Sequence, residues 1–445
     1  MPERAPGRRL HRTAVLRPTL RGGALLVIGA LTIIGGYLTG FEELVIAGCL
    51  PVVLALAALL SVRLRRPVLE VTRAFDPPVV AAGRLARVHL AFRNRAASPT
   101  TEATWNDILP WPESADPHRL PEMQPRGAGA RPDARVSALA VAGYDLHPPR
   151  RGRFEIGPLA LEHDDPFGLA RSVLTLGGVD ELVVVPDLVD LPGGSLSVAQ
   201  GEGASLVVHR RVFGSDDDLT TREYRPGDAM RRVHWRASAR HGELMVRQEE
   251  QRSHPESRVL VDTRLDGYDD LEDEPAYLDR PGVQSESFEW AVRMLASLGV
   301  HLADAGFEVV VAESAEAQAA PIGERADGAR RDVDFLRSLA DIRLLRAEPQ
   351  ARPAPLDPGS GGPVFALLAD PRDAVLEWMA RQRRAGDAAV AFAVGWGDER
   401  SRHALEAERR LQDAGWLVIR VDVDDDPADA WRAAHSGWGT IRGAG

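Results

Sequence analysis

Two uncharged apolar runs near the N-terminus constrain the fold more than any other feature of this sequence. The first covers residues 22–41 and the second residues 44–62, and only Glu42 and Glu43 separate them. Each run is long enough to cross the ~30 Å hydrocarbon core of a bilayer as an α-helix. A cleaved signal peptide is the alternative, but the second run follows at once and no typical cleavage site intervenes. We therefore predict a transmembrane helical hairpin.

The basic residues around this hairpin predict its orientation. Arginines are frequent before the first run and again directly after the second, whereas the connecting turn has none. By the positive-inside rule, both ends of the hairpin then lie in the cytoplasm. We expect a multi-pass protein of the cell (inner) membrane, with residues 1–21 as a basic cytoplasmic tail. Both termini and the bulk of the chain are then cytoplasmic, and the lipid bilayer is a partner.

Charge and composition exclude several functions. The formal net charge of -11 is the sum of +6 over residues 1–66 and -17 over the rest of the chain. All basic side chains other than histidine are arginine, so there is no P-loop lysine and no Schiff-base amine. The single cysteine, Cys49, excludes an intramolecular disulfide and a zinc site built on several thiolates. The acidic body also disfavours binding to nucleic acid.

Residues 67–192 have the pattern of a β-sheet domain. Short segments that alternate apolar and polar residues, such as 86–94 and 152–165, lie between clusters of Pro, Gly and Asp. A Pro-rich loop is expected around 105–132, and a turn at 165–168. We interpret this region as an antiparallel, Ig-like β-sandwich.

The hydrophobic period changes in the C-terminal part, which we assign to residues 253–436. Continuous apolar strands such as 257–262 and 364–370 alternate there with amphipathic helices, and residues 437–445 are taken as a tail. This alternation is typical of a parallel sheet covered by helices on both faces. The predicted fold class is therefore multidomain: a transmembrane hairpin, a β-sandwich-like region and a doubly wound α/β domain.

The connecting segment, residues 193–252, contains the densest basic cluster of the body. A turn at Pro226-Gly227 precedes a predicted helix from Asp228 to Ala239, with Gly242 as its stop. Arginines spaced by four along this helix share one face. Either they pair with the protein's own carboxylates, or they form an exposed surface for an acidic partner. The candidate partner-binding residues are Arg225, Arg231, Arg232, Arg236 and Arg240.

The same segment resembles the bacterial membrane-associated family called domain of unknown function 58. The resemblance rests on an ordered motif together with the N-terminal spans and the β-rich region. Besides Arg231 and Arg240, the matching positions are Glu223, Tyr224, Pro226, Gly227, Asp228, His234, Trp235, Ser238 and Ala239. It implies a membrane-anchored protein with a C-terminal part similar to a von Willebrand factor A domain. It also implies association with a MoxR-type AAA+ ATPase, and with a membrane protein that carries a transglutaminase-like domain.

A von Willebrand factor A-like domain raises the question of a bound cation. Such domains place Asp-x-Ser-x-Ser after the first strand, because a carboxylate and two hydroxyls suit Mg²⁺. Here Asp262 fits, but Arg264 and Asp266 replace both serines. Asp370 ends another strand and is a second weak candidate. We expect the fold without the metal and without any other cofactor, and Mg²⁺ is the one cation that these residues suggest.

These observations lead to three hypotheses about function. The first is a non-enzymatic, membrane-anchored adaptor that docks a cytoplasmic ATPase of the MoxR type during assembly or maturation of other proteins. The second is a metal-dependent ligand-binding module that uses Asp262 and Asp370. The third, ranked last, is a hydrolase in which His234 acts with Asp228 or Glu223.

Overall fold

In the computed structural model, the chain forms two compact units. The first unit is Met1–Val185 with Pro275–Pro281, and the second is Pro186–Glu274 with Gly282–Gly445. The residues described are 14–100, 102–111, 116–125, 138–192, 221–223, 230, 235–247, 256–273, 283–322, 328–346, 362–384, 387–395 and 402–443.

The first unit begins with a short strand, β1 (Ala14–Pro18), and a helical hairpin. The hairpin consists of α1 (Leu20–Thr39) and α2 (Glu42–Leu64), two helices that are long and apolar enough to cross a membrane. Only small residues fit where they touch: a Cβ on Gly48 would stand 2.8 Å from the carbonyl oxygen of Gly29. Such contacts between small residues are typical of helices that pack in lipid.

A β-rich region follows the hairpin and forms three sheets. Its strands are β2 (Leu69–Asp76), β3 (Val79–Ala81), β4 (Ala86–Asn94), β5 (Thr104–Asp107), β6 (His118–Arg119), β7 (Leu139–Leu146), β8 (Gly152–Ile156), β9 (Leu159–Asp164), β10 (Ala170–Leu176) and β11 (Asp180–Val185). The sheet orders are β1-β10-β9-β5-β6, β2-β4-β7 and β3-β11-β8. Pairing is antiparallel except between β3 and β11. The strand β1, from the predicted N-terminal tail, is thus an edge strand of the largest sheet.

The core of the β-rich region combines aromatic packing with one buried ion pair. Trp105, predicted to start a loop, lies on β5 and is almost completely buried. Asp107, two residues on, accepts two hydrogen bonds from the guanidinium of Arg73, at 2.5 and 3.0 Å. The hydroxyl of Tyr144 donates a third, at 2.7 Å. This satisfied network offsets the desolvation of the two charges and links β2, β5 and β7.

The second unit contains a parallel sheet flanked by helices. Its elements are β12 (Thr221–Glu223), α3 (Trp235–His241), β13 (Met245–Arg247), β14 (Glu256–Val261), β15 (Leu271–Asp273), β16 (Val283–Ser285), α4 (Glu286–Asp304), β17 (Glu308–Glu313), α5 (Gly328–Asp341), β18 (Val364–Leu368), α6 (Asp373–Ala380), β19 (Ala389–Val394), α7 (Arg402–Asp413), β20 (Leu417–Val421) and α8 (Pro427–Gly443). The main sheet has the order β17-β14-β18-β19-β20 and is parallel throughout. β18 and β19 are buried along their whole length, as their continuous apolar sequences predict.

Two apolar clusters enclose this sheet, one on each face. The larger cluster includes α4, with Leu295 and Leu298 fully buried, and also Trp431 of α8. The other contains Trp378 of α6 and Leu411 of α7. The helix α8 extends through residues 437–443, which the sequence analysis treats as a tail. The chain is therefore multidomain, with two apolar helices, mixed sheets and an α/β region.

Candidate partner-binding surface

Part of the motif segment forms a small strand-helix-strand unit. β12 and β13 pair antiparallel, with Glu223 opposite Met245, and α3 lies between them in sequence. Ser238 of α3 connects the two parts, because its Oγ accepts a hydrogen bond of 2.8 Å from the backbone N–H of Met245. The motif serine thus positions the helix against the second strand.

The described part of the motif segment exposes large side chains. Trp235, the first residue of α3, is 65 % exposed, and Arg240 and Ala239 are exposed as well. Met230, which precedes α3 in the same segment, is 54 % exposed. An exposed tryptophan and an exposed arginine on one short helix are the residue types that dominate binding energy at protein interfaces.

Most of the predicted surface lies outside the described residues. This applies to Tyr224, Arg225, Pro226, Gly227, Asp228, Arg231, Arg232 and His234, and to the side chains of Glu223 and Arg236. The exposure of the helix face that carries Arg232, Arg236 and Arg240 therefore stays a prediction. The observed helix covers the end of the predicted one and reaches His241 before Gly242.

A second polar cluster lies where β14 and β17 end. The carboxylate of Asp262 is fully buried; its Oδ1 accepts hydrogen bonds from Ser314 Oγ at 2.5 Å and from the backbone N–H of Arg264 at 3.1 Å. Among the residues that the structure describes, its Oδ2 has no hydrogen-bond partner. Burial raises the pKa of Asp262 to about 6, because the charged form is desolvated.

These residues do not fit a magnesium site. A Cβ on Gly267 would stand 2.2 Å from Oδ2 of Asp262, so this glycine closely covers the unpartnered oxygen. The buried Arg264 guanidinium donates to the carbonyl of Ser314 at 3.0 Å and occupies a position where the metal-binding motif has a hydroxyl. Within the described residues, no three His, Cys, Asp or Glu side chains form a group that could hold a metal ion.

Asp370, the other candidate ligand, lies close to one histidine and one arginine. Its Oδ1 lies 3.6 Å from Nε2 of His403, and its Oδ2 lies 3.9 Å from Nη1 of Arg372. Arg372 Nε in turn lies 3.9 Å from the Asp266 carboxylate. The positive charge of Arg372 disfavours a cation at the same carboxylate.

No curated protein matches the sequence. Among solved structures, the CARDB domain of the PF1109 protein from Pyrococcus furiosus, in complex with di-metal ions, is 12 % identical with a TM-score of 0.18. That match covers 27 % of this chain and 89 % of the domain. Spo0M, a sporulation control protein from Bacillus subtilis, is 9 % identical with a TM-score of 0.14, covering 32 % of this chain and 55 % of that one. At such TM-scores these similarities do not define the fold.

The motif segment itself matches a family model. That model, described as a protein of unknown function, DUF58, covers residues 220–266. The matched range includes β12, α3, β13 and β14, and it ends four residues after Asp262. The family resemblance inferred from the motif is therefore supported over this segment of the chain.

Proposed function

We propose that the protein is a non-enzymatic adaptor, anchored in the cell membrane by α1 and α2, that docks a cytoplasmic AAA+ ATPase of the MoxR type. The two apolar helices and the family match over residues 220–266 support this proposal. In this proposal the β-rich region is an Ig-like sandwich and the parallel-sheet unit a von Willebrand factor A-like domain. Both termini are cytoplasmic. A transglutaminase-like membrane protein is a further partner, and nucleic acid is not one.

The observation that carries the docking proposal is the exposure of Trp235 and Arg240 within the family motif. A tryptophan exposed by 65 % leaves a large apolar surface in water unless a partner covers it. An arginine on the same short helix supplies a planar, bidentate donor for a carboxylate of that partner. Because the side chain of Ser238 fixes the helix to β13, the surface is preorganised for binding.

The test is affinity capture of the full-length protein from membranes after mild crosslinking. We expect wild-type protein to recover an ATPase of the AAA+ class, identified by mass spectrometry. Trp235→Ala and Arg240→Ala should each weaken that recovery, since truncating a hot-spot residue costs about 2 kcal/mol or more, roughly 30-fold in affinity.

The matched control is Arg409→Ala, which removes an exposed arginine from α7, outside the motif. This variant should recover the ATPase as the wild type does. Failure of the wild-type protein to recover any AAA+ ATPase would overturn the docking proposal. Equal losses in Arg409→Ala and Arg240→Ala would show that general charge, not the motif surface, determines recovery.

A further inference from the structure

The turn between β9 and β10 is rigidly built around one carboxylate. Asp165 Oδ1 accepts hydrogen bonds from the backbone N–H groups of Leu169 and Ala170, both at 2.6 Å, and its Oδ2 accepts one from Phe167 at 2.9 Å. The backbone of Gly168 adds a bond of 3.0 Å to the carbonyl of Asp165. The turn therefore holds its shape without help from the residue at its tip.

This turn is attached directly to the start of α1. Thr19, which caps α1, donates its hydroxyl to the carbonyl of Gly168 at 2.7 Å and its backbone N–H to the carbonyl of Leu169 at 2.9 Å. The carbonyl oxygen of Leu169 lies 2.0 Å from the place where a Cβ on Gly22 would stand. Only glycine at this position permits so close an approach.

The end of α2 completes the attachment. Leu169 and Ala170 pack with Ala58 and Val62 in one apolar cluster. Nε2 of His163 on β9 donates to the carbonyl of Val62 at 3.2 Å. Burial lowers the pKa of His163, which favours the neutral ring next to this helix end.

Phe167 nevertheless remains 66 % exposed at the tip of this turn. The 20 residues of α1 extend about 30 Å, the thickness of the hydrocarbon core, so Thr19 marks one of its boundaries. Since the turn bonds to Thr19, Phe167 lies near the same level. Aromatic side chains are common at that depth of a membrane protein.

The charges around the turn match an anionic lipid surface. Exposed arginines flank the same ends of α1 and α2, namely Arg17, Arg21, Arg63, Arg65 and Arg66. The exposed apolar side chains of the helices begin at the same level, with Leu20 exposed by 92 %. Phe167, next to the Gly168 that bonds Thr19, is thus attached to a helix end where apolar side chains suit acyl chains and arginines suit headgroups.

We propose that the turn at residues 165–169 is a lipid-binding element, whose Phe167 enters the headgroup–acyl boundary and holds the β-rich region against the membrane. The inference rests on the membrane anchorage proposed above. The occupant is the bilayer because Phe167 adjoins the lipid-facing helices and the arginines that flank them.

The experiment uses the full chain in vesicles of phosphatidylcholine and phosphatidylglycerol, with a fluorescent probe on a single cysteine. In a Cys49→Ala background, the probe is attached at Phe167→Cys or at the control Val141→Cys, a β7 residue that is also 66 % exposed. Lipids carrying a nitroxide near the glycerol backbone or near the chain end serve as quenchers. We expect the shallow nitroxide to quench residue 167 several-fold more than residue 141, and more than the deep nitroxide does.

A probe on the native Cys49, exposed on α2, separates the two proposals. If neither nitroxide quenches it, the anchorage itself fails. If it is quenched while residue 167 behaves like residue 141, the anchorage holds and the lipid-binding turn is overturned.

A second measurement retains an aromatic ring at the tip. Phe167→benzoylphenylalanine, irradiated in membranes, should form lipid adducts that mass spectrometry identifies. Adducts with protein alone would show that another polypeptide covers the turn and would overturn the proposal.

Discussion

At the scale of single residues, Asp262 has an unusual environment for a carboxylate. It is completely buried, one of its oxygens lacks a hydrogen-bond partner within the described part of the chain, and its pKa is raised to about 6. A raised folded-state pKa means that the native state binds the proton more tightly than the unfolded state does. The contribution of Asp262 to stability is therefore fully present below its ordinary pKa of 3.8 and is lost as the pH rises through about 6.

We predict that Asp262→Asn stabilises the protein at pH 8. The amide oxygen still accepts from Arg264 and Ser314, and no charge is desolvated, which contributes up to about 3 kcal/mol. The buried amide N–H groups that replace Oδ2 reduce the net gain to about 1 kcal/mol. The gain should disappear when the pH falls below the ordinary pKa of aspartate. Denaturant unfolding of the full chain at both pH values measures the difference, with Asp334→Asn, 70 % exposed on α5, as the control. Stabilisation of the wild type by Mg²⁺ that Asp262→Asn abolishes would contradict the conclusion that no cation fits here.

At the scale of secondary-structure elements, the sequence predicts well where helices and strands lie, but it predicts poorly which of them contact each other. The runs 22–41 and 44–62 correspond to helices at 20–39 and 42–64, because composition alone decides which segments are apolar enough. In contrast, β1 is five residues long and lies between arginines, so its sequence does not reveal a strand. The segment forms a strand because it pairs with β10, which is more than 150 residues away in the sequence. The same limit applies to the turn at 165–168, predicted correctly as a turn but without its contact to α1.

The contact between α1 and this turn gives a prediction with a matched control one residue away. Gly22→Ala places a methyl group 2.0 Å from the carbonyl oxygen of Leu169, so the backbone must shift and the Thr19 bonds weaken. A clash of this kind costs about 1–3 kcal/mol. Gly23→Ala meets nothing within 4 Å and should be neutral or slightly stabilising.

Thermal unfolding of the β-rich region in lipid nanodiscs, with limited proteolysis at the turn, measures both variants. Faster cleavage near residues 165–169 in Gly22→Ala alone is the expected result. Equal behaviour of the two variants would contradict the tight approach of α1 to the turn.

At the scale of the whole molecule, the division into two apolar helices, a β-rich region and an α/β region was predictable from periodicity, whereas the candidate site was predictable only as a motif. Alternating apolar strands and amphipathic helices predicted the parallel sheet, whose strands β18 and β19 are fully buried. The motif predicted which segment contains the candidate surface. The position of Ser238 against Met245 and the exposure of Trp235, however, depend on tertiary packing. A sequence pattern predicts which positions alternate between buried and exposed, but it does not predict the distances between side chains that are far apart in the sequence.

The inclusion of β1 in the first unit leads to a prediction about removing the hairpin. A fragment starting at residue 67 lacks β1, whose five residues pair with Ala170–Leu174 of β10. It also lacks Ala58 and Val62, which cover Leu169 and Ala170. β10 becomes an uncovered edge strand, and such strands pair with other chains. We expect a loss of a few kcal/mol, since each cross-strand pair contributes roughly 0.2–1 kcal/mol, together with aggregation.

A synthetic peptide of residues 13–19 tests whether the lost strand is the cause. Added in excess, it can pair with β10 again and should raise the melting temperature of the fragment by mass action, while a scrambled peptide should not. Circular dichroism follows unfolding and light scattering follows aggregation. If the fragment is as stable and soluble as the detergent-solubilised full chain, then β1 and the hairpin do not contribute to the stability of the β-rich region. The region before residue 67 would then act only as an anchor, whereas the observed pairing of β1 with β10 makes it part of the β-rich region.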